Sequence, residues 1–448
     1  MKKSLLTLSG TFLLAALAAC SGGGDQEASD SSDGGDGGSS GEEVTIRLHH
    51  WYNEEQDNWD DVIASFEEDH PNINVESVTP ENNDANETMQ QIDLAAASGD
   101  QLDVIMVNDA SNYAQRVSQG MFEPLNSYID EADFNFDEEY RVNTAVDGER
   151  YALPGKYNMH FVMMNQDKLD ENNLELPTEW TWSDFMDYAD QLSEGEGANK
   201  MYGTYFHTWV DYVKLAAFNQ PENSNLVKDD GTTSNIDSEK IRQSLEIRQR
   251  GHEDGSAVPY DNTISQELSY RDQFFNESAA SILTGSWMIS EAGGIDGSPA
   301  PFNVSFAPYP KAEEGDPVTT PAGADFLSVY SGSQNKDAAF EFIRWYTTEG
   351  IQEQGKYLPS YQDADLQEVV DNLVQAGAAP DKVDTESIIN VLETSEAAPL
   401  NIPPTYIGEV EDAYMSETDA FLLGEQDLET TIQNADEAAQ EIIDNNAE

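Results

Sequence analysis

Residues 44–75, VTIRLHHWYNEEQDNWDDVIASFEEDHPNINV, decide the fold. Val44, Ile46 and Leu48 alternate with Thr45 and Arg47, which is the spacing of a strand with one apolar face. The loop His49-His50-Trp51-Tyr52-Asn53 follows. Trp59, Val62, Ile63 and Phe66 then recur at helical spacing, predicting a helix around residues 56–68. Pro71 stops that helix, and Ile73-Asn74-Val75 begins a second strand. Further on, a helix is expected near Thr88 to Ala97, ended by Gly99, and Asp103-Val104-Ile105-Met106-Val107 reads as a buried parallel strand. Strands alternating with helices predict an α/β fold built on a doubly wound parallel sheet. Ligands of such sheets bind at loops beyond the carboxyl ends of the strands. Here those loops are His49 to Asn53 and Asn108 to Asn112.

Downstream, a strand is expected at Met159 to Met164 after a turn at Leu153-Pro154-Gly155, and another at Ala280 to Leu283. Helices are expected near Trp182 to Leu192, Ser238 to Arg250, Asp337 to Thr347 (closed by Gly350) and Leu428 to Asp444. No repeat of solenoid period is present. Upstream, Lys2 and Lys3 precede an apolar run from Leu5 to Ala18, and the small pair Ala18-Ala19 precedes Cys20. This predicts a signal peptide over residues 1–19. The apolar run is too short for a membrane span. Leu17-Ala18-Ala19-Cys20 resembles the bacterial lipobox, which implies a lipid on Cys20. Cys20 is the only cysteine, so no intramolecular disulfide can form. Residues 20–43 carry almost nothing apolar and read as a flexible tether, with a reach of roughly 25 Å.

The chain has 448 residues, enough for two lobes, and its 7 Trp, 19 Tyr and 17 Phe argue for a folded body. Against 21 Lys and Arg stand 87 Asp and Glu, a formal net charge of −66. Nucleic acid and anionic lipid headgroups are not expected as partners, because both would be repelled. Acidity spread along the whole chain predicts a halophilic protein, adapted to salt in which the Debye length falls to about 3 Å at 1 M. It also strips most single carboxylates of diagnostic value.

Four stretches together resemble the extracellular sugar-binding proteins of bacterial ABC importers, the family of the maltodextrin-binding protein. They are IRLHHWYNEEQDNWDDVIASFEEDHPNINVE from Ile46, DVIMVNDASNYAQRVSQGMFEPLNSYI from Asp103, AASILTGSWMIS from Ala279 with FAPYPKAEEGDPVTTPAGADFLSVYSGSQNKDAAFEFIRWYTTEG from Phe306, and KYLPSYQDA from Lys356. The resemblance spans nearly the whole mature chain. It implies two α/β lobes joined by a multi-strand hinge, the type II periplasmic-binding architecture. The expected lobes are residues 44–155 with about 326–375, and 156–325 with about 376–448. The chain would cross near Pro154 to Tyr157, near Ala324 to Val329, and between about Val374 and Leu400. Implied partners are a mono- or oligosaccharide, an ABC permease with its separate ATPase, and the membrane through Cys20. The protein is expected outside the cell, on the outer face of the cytoplasmic membrane, and as a monomer.

A sugar offers hydroxyls at its rim and C–H faces, so its site needs rings to stack on and polar acceptors. Trp287, in Gly285-Ser286-Trp287, stands where the family commonly places a stacking tryptophan. Tyr205, Phe206 and Trp209 form a second aromatic stretch, and Trp51 and Tyr52 leave the first strand in a ligand loop. Asp109 follows the third strand, as an acceptor or as a helix cap. Asp325 lies at an expected crossing, and Tyr406 follows Pro403-Pro404. Lys156, Tyr157 and Asn158, at the first crossing, are weaker candidates. Trp180, Trp182 and Trp345 read as packing residues.

Neither catalytic residues, nor a metal site, nor a cofactor is implied. Six histidines form no recognisable ligand set, and HExxH, P-loop, GxGxxG and nucleophile-elbow motifs are missing. Asp229-Asp230-Gly231 reads as a turn. The rival expectations are a surface polysaccharide-degrading enzyme, or the same binding fold holding a polyamine or another non-sugar solute.

Overall fold

The computed structural model describes residues 43–80, 83–295 and 297–446. The expected signal peptide, Cys20 and the tether before Glu43 lie outside the described residues.

The principal sheet has seven strands: β1 (Val44–His49), β2 (Ile73–Val78), β3 (Val104–Val107), β4 (Leu153–Asn165), β5 (Ser281–Gly285), β6 (Val304–Pro308) and β7 (Ala322–Val329). Its order is β6-β4-β7-β3-β1-β2, with β5 on the other edge of the distal part of β4. The strands β2, β1 and β3 are parallel, as their alternation with helices predicts. From β7 onward the pairing is antiparallel, so the sheet is mixed rather than wholly parallel.

Both faces of β3 are covered. Helices α1 (Trp59–Asp69), α2 (Ala85–Ser98) and α3 (Ala110–Ser118) follow the strands in turn. Val104 and Met106 join a core with Trp59, Val62 and Phe66, whereas Ile105 and Val107 join a core with Ile92 and Tyr113 on the opposite face. A strand buried on both faces has no polar side, and DVIMV shows that pattern. Trp59 is fully buried and stacks on Tyr346 at 4.9 Å. Such a ring pair contributes about 0.5–1.5 kcal/mol beyond its area.

The β6-β4-β5 part is built likewise. Val162, Met164 and Leu283 pack with Trp182, Phe185 and Leu215, and Phe161, Met163 and Phe306 pack with Phe274 and Ile388 on the other face. Helix α4 (Trp182–Leu192) starts at a capping box formed by Thr181 and Asp184. Helix α5 (Glu239–Glu253) packs with two C-terminal helices, α6 (Ile407–Leu422) and α7 (Leu428–Asn446), around Leu245, Tyr414 and Ile432.

The expected turn at Leu153-Pro154-Gly155 is instead the start of β4. Pro154 pairs with Phe326 of β7. Gly155 sits where a β-carbon would come within 2.7 Å of Leu327 Cδ1, so it answers a close approach rather than a bend. On the other side of this segment, Tyr157 N–H donates to the Leu358 carbonyl and Ser360 N–H donates to the Gly155 carbonyl. Among the described residues, no helix is long and apolar enough to cross a membrane.

Candidate functional site

The loop after β1 turns inward. His50 is buried, and its Nδ1 accepts the Tyr52 N–H at 3.1 Å. The proton must therefore sit on Nε2, which faces Ser77 Oγ at 2.7 Å. Burial, then the neighbouring His49, hold the His50 imidazole down to about 3, so it stays neutral.

Tyr52, itself buried, donates from its hydroxyl to Asp325 Oδ2. The same oxygen pairs with Lys156 Nζ at 3.1 Å, and Asn158 donates to Oδ1 at 3.1 Å. The Lys156 ammonium lies 4.9 Å from the Tyr52 ring centre and 4.6 Å from that of Tyr357. Both oxygens of Asp325 are thus engaged inside the protein. The bulge that puts it there is a register slip between Ala324 and Phe326, where β7 faces β4. Tyr357 donates to Asp57 Oδ1 at 2.5 Å, and burial raises the Asp57 carboxyl while that bond opposes the rise.

Beyond this knot stands a wall of rings. Trp209 is 37 % exposed, and its ring centre lies 5.6 Å from Tyr270 and 6.4 Å from Trp287. Trp287 donates from Nε1 to the Tyr270 hydroxyl at 3.2 Å. It packs against both the core that holds Tyr52 and Tyr357 and the core that holds Tyr205 and Phe274. Gly285 makes this possible: a β-carbon there would stand 2.2 Å from the indole. Arg271 lies 4.8 Å from the Tyr270 ring centre and forks Glu291 at 2.6 and 2.9 Å. Glu291 in turn acts electrostatically on Asp57 and Tyr357. His207 lies 4.6 Å from Trp209, held down to about 4 by burial and then by Arg271.

A polar group completes the site. Asp109 caps α3, accepting from Asn112 N–H at 2.7 Å and Asn112 Nδ2 at 2.8 Å. Burial raises its carboxyl. Asp211 pairs with Lys214 at 3.3 Å, and Ser111 donates to Glu411 Oε1 at 3.0 Å. Burial pushes Glu411 up to about 7; Lys214 opposes this, and the charges of Asp109 and Asp211 add to it.

Of the expected site residues, the fold gathers Tyr52, Asp109, Trp209, Trp287 and Asp325 around this region. Trp51 is half-buried with its ring edge-on to Tyr52 at 5.3 Å. Tyr205 and Phe206 are buried in two different cores. The Tyr205 hydroxyl, bonded to the Leu268 carbonyl and beside His207, supports the wall from behind. Phe206 lies under the Arg248 guanidinium, 5.0 Å away. Tyr406 is half-buried, bonds the Gly231 carbonyl, and packs with the α5–α6–α7 core. Sequence reasoning did not single out Asp57, Asp211, Lys214, Arg271, Glu291, Tyr357 or Glu411. Only Asp57 and Tyr357 carried a signal, as parts of the stretches that begin at Ile46 and at Lys356. No group of three or more His, Cys, Asp or Glu among the described residues is placed to hold a metal ion.

The multiple sugar-binding protein of Streptococcus mutans serotype c is 24% identical over 334 residues, 72% of this chain and 74% of that protein. An ABC substrate-binding protein of Listeria monocytogenes, solved in complex with cycloalternan, superposes with a TM-score of 0.71 at 21% identity, covering 89% of this chain and 98% of that one. UgpB from Mycobacterium tuberculosis, in complex with glycerophosphocholine, gives a TM-score of 0.71 at 15% identity over 91% of this chain and 100% of that one. The fold is that of the type II periplasmic binding proteins. Members are binding proteins rather than enzymes, and they work outside the cytoplasm as secreted or surface-exposed proteins. Residues 52–353 match the family profile, and the chain belongs to the bacterial extracellular solute-binding proteins.

Proposed function

We propose that this chain captures a carbohydrate in a cleft between two lobes and delivers it to an ABC permease powered by a separate ATPase. The observation that carries this is the wall of Trp209, Tyr270 and Trp287 standing beside the polar groups of Asp57, Asp109, Asp211 and Glu291. Rings suit the C–H faces of a sugar, and carboxylates suit its hydroxyls. The sugar-binding relative in Streptococcus mutans and the cycloalternan complex support the same class. Ring stacking is assigned to Trp209 and Trp287, with Tyr270 behind them. Asp325, whose oxygens are already bonded, is assigned to the hinge.

The lobes are taken as residues 44–155 with about 326–357, and 156–325 with about 361–446. We put the third connection at residues 357–361 rather than between about Val374 and Leu400; in support, Lys156 bridges Pro359, and helices 366–375 and 385–394 pack with the core of β6. The protein acts as a monomer, held at the outer face of the membrane by a lipid on Cys20, and its acidity suits concentrated salt.

A thermal-shift screen of mono- and oligosaccharides in high salt tests this. A ligand at a hundred times its Kd stabilises by about 2.7 kcal/mol. A saturable shift with no new reducing ends supports the reading, whereas release of reducing ends would make the protein an enzyme. A second reading, an amine-bearing solute such as a polyamine, is favoured by Asp109 and Glu411, whose carboxyls are raised by burial. Spermidine and putrescine belong in the same screen, and a shift with them but with no sugar would replace the first reading.

A further inference from the structure

Helices α3 and α6 belong to different cores. On α3, Tyr113 stacks on Phe326 of β7 at 4.6 Å, with the planes 4° apart. On α6, Ile407, Val410 and Tyr414 pack with Val213 and Leu245. Yet the two helices meet. Ser111 Oγ donates to Glu411 Oε1 at 3.0 Å, and Gly408 lies opposite Gln115, whose Oε1 would be 4.0 Å from a β-carbon at that glycine. This contact is separate from the β4–β7 connection. It also involves a residue beyond the 52–353 segment that matches the family.

We propose that Ser111 and Glu411 form the latch of the cleft, and that uptake of a proton at Glu411 strengthens closure. The proposal rests on the two-lobe reading above. The charged groups acting on Glu411 are Asp109, from the cap of α3, and Asp211 and Lys214, from the turn that packs against α6. Arg248 of α5 also packs near α6, but its guanidinium bonds the Tyr212 carbonyl and covers the rings of Phe206 and Tyr260. Asp419, further along α6, accepts from the Tyr260 hydroxyl. The residues that α7 buries in the shared core, Ile432, Ala435, Ala439 and Ile443, are apolar.

The sign follows from the environment. In the closed form Glu411 is held near 7 by burial and by the charges of Asp109 and Asp211, against Lys214 and the Ser111 hydrogen bond, both of which favour its ionised form. Once the helices part, it returns to an ordinary glutamate near 4.3. Above pH 7 both forms are ionised, and closure carries the whole cost of burying the charge. Below pH 7 the closed form takes up a proton that the open form does not. The closed-to-open ratio therefore rises by up to about tenfold per pH unit until roughly pH 4.5.

Spin labels at Leu94→Cys and Leu423→Cys, two exposed positions on either side, would report closure by pulsed electron resonance. The full chain with Cys20→Ser is measured without ligand. The short-distance population should grow severalfold between pH 8 and pH 5.5. Glu411→Gln, neutral but still an acceptor, should be short at every pH, and Ser111→Ala should be shifted to long distances at every pH. Distances that ignore pH, or a pH response that survives in Glu411→Gln, would overturn the latch. If the distances respond but no sugar or amine binds, the solute reading fails and the latch stands. If a solute binds while the distances stay fixed, only the latch fails.

Discussion

Trp287 owes its position to a missing methyl group. Its indole lies over Gly285, where any β-carbon would collide at 2.2 Å. Trp287→Ala removes the ring, and losing the burial of one such side chain costs about 1.5–3 kcal/mol, roughly ten- to a hundredfold in Kd. Gly285→Ala should weaken binding in the same direction while keeping the ring, because the ring must move. Calorimetric titration with the solute found in the screen checks both. An unchanged Kd in Trp287→Ala would remove it from the site.

His50 gives a pH prediction of opposite sign to Glu411. Its folded value, about 3, lies below the ordinary 6.5, so the unfolded chain binds its proton first as pH falls. The stability it contributes is present above pH 6.5. It is lost by up to about 1.4 kcal/mol per pH unit as pH falls toward 3. Protonation would also take away the acceptor of the Tyr52 N–H. Urea midpoints measured from pH 7 to pH 4.5 should fall, and less steeply in His50→Gln.

Among the elements, the knot on β4 and β7 combines stability with geometry. Lys156 and Asp325 are both buried, and removing one partner of such a pair costs about 3–5 kcal/mol because the other charge is left alone. Lys156→Met and Asp325→Leu should each be strongly destabilising. The double variant should cost clearly less than the sum of the two, as a denaturation cycle will show.

This element was also the least legible in the sequence. Pro154 and Gly155 signal a turn in almost any local reading, and only the partners at Phe326, Leu358 and Ser360 make the segment a strand. By contrast β1, β3, α1 and α4 were legible, because their apolar spacing is set by burial on known faces. The site was half legible. Trp287 and Asp109 follow strands, which marks them. Tyr205 and Phe206 carry the same aromatic signature as Trp209, and only the packing separates a core ring from a 37 % exposed one. Glu291 and Glu411 were hidden among 87 acids, since composition this acidic gives no single carboxylate any contrast.

At the scale of the molecule, charge dominates. With a net charge of −66, repulsion between carboxylates opposes compaction, and the Debye length of about 10 Å at 0.1 M lets it act across neighbouring helices. If the acidity is an adaptation to salt, the unfolding temperature should climb between 0.1 and 2 M NaCl, and KCl should act equally. A temperature that is flat or falls with salt would argue against it. Partly exposed ion pairs such as Arg47–Glu76 will weaken over the same range, but each contributes only about 0–1 kcal/mol.

The thirteen-residue β4 is one ribbon clamped at both ends. Residues 160–165 are laced to β5 and β6, and Leu153, Pro154 and Tyr157 to Met159 are paired with β7, so only Gly155 and Lys156, opposite the slip, lack a β7 partner. Any swing of one half against the other must then be absorbed as torsion over a few peptide units around the slip at Asp325. That makes the hinge a short axle instead of a loose strap, and the motion a rotation about one line rather than a wobble. Amide exchange at Gly155 and Lys156 should accordingly slow when solute is bound, while the paired residues on either side stay protected throughout.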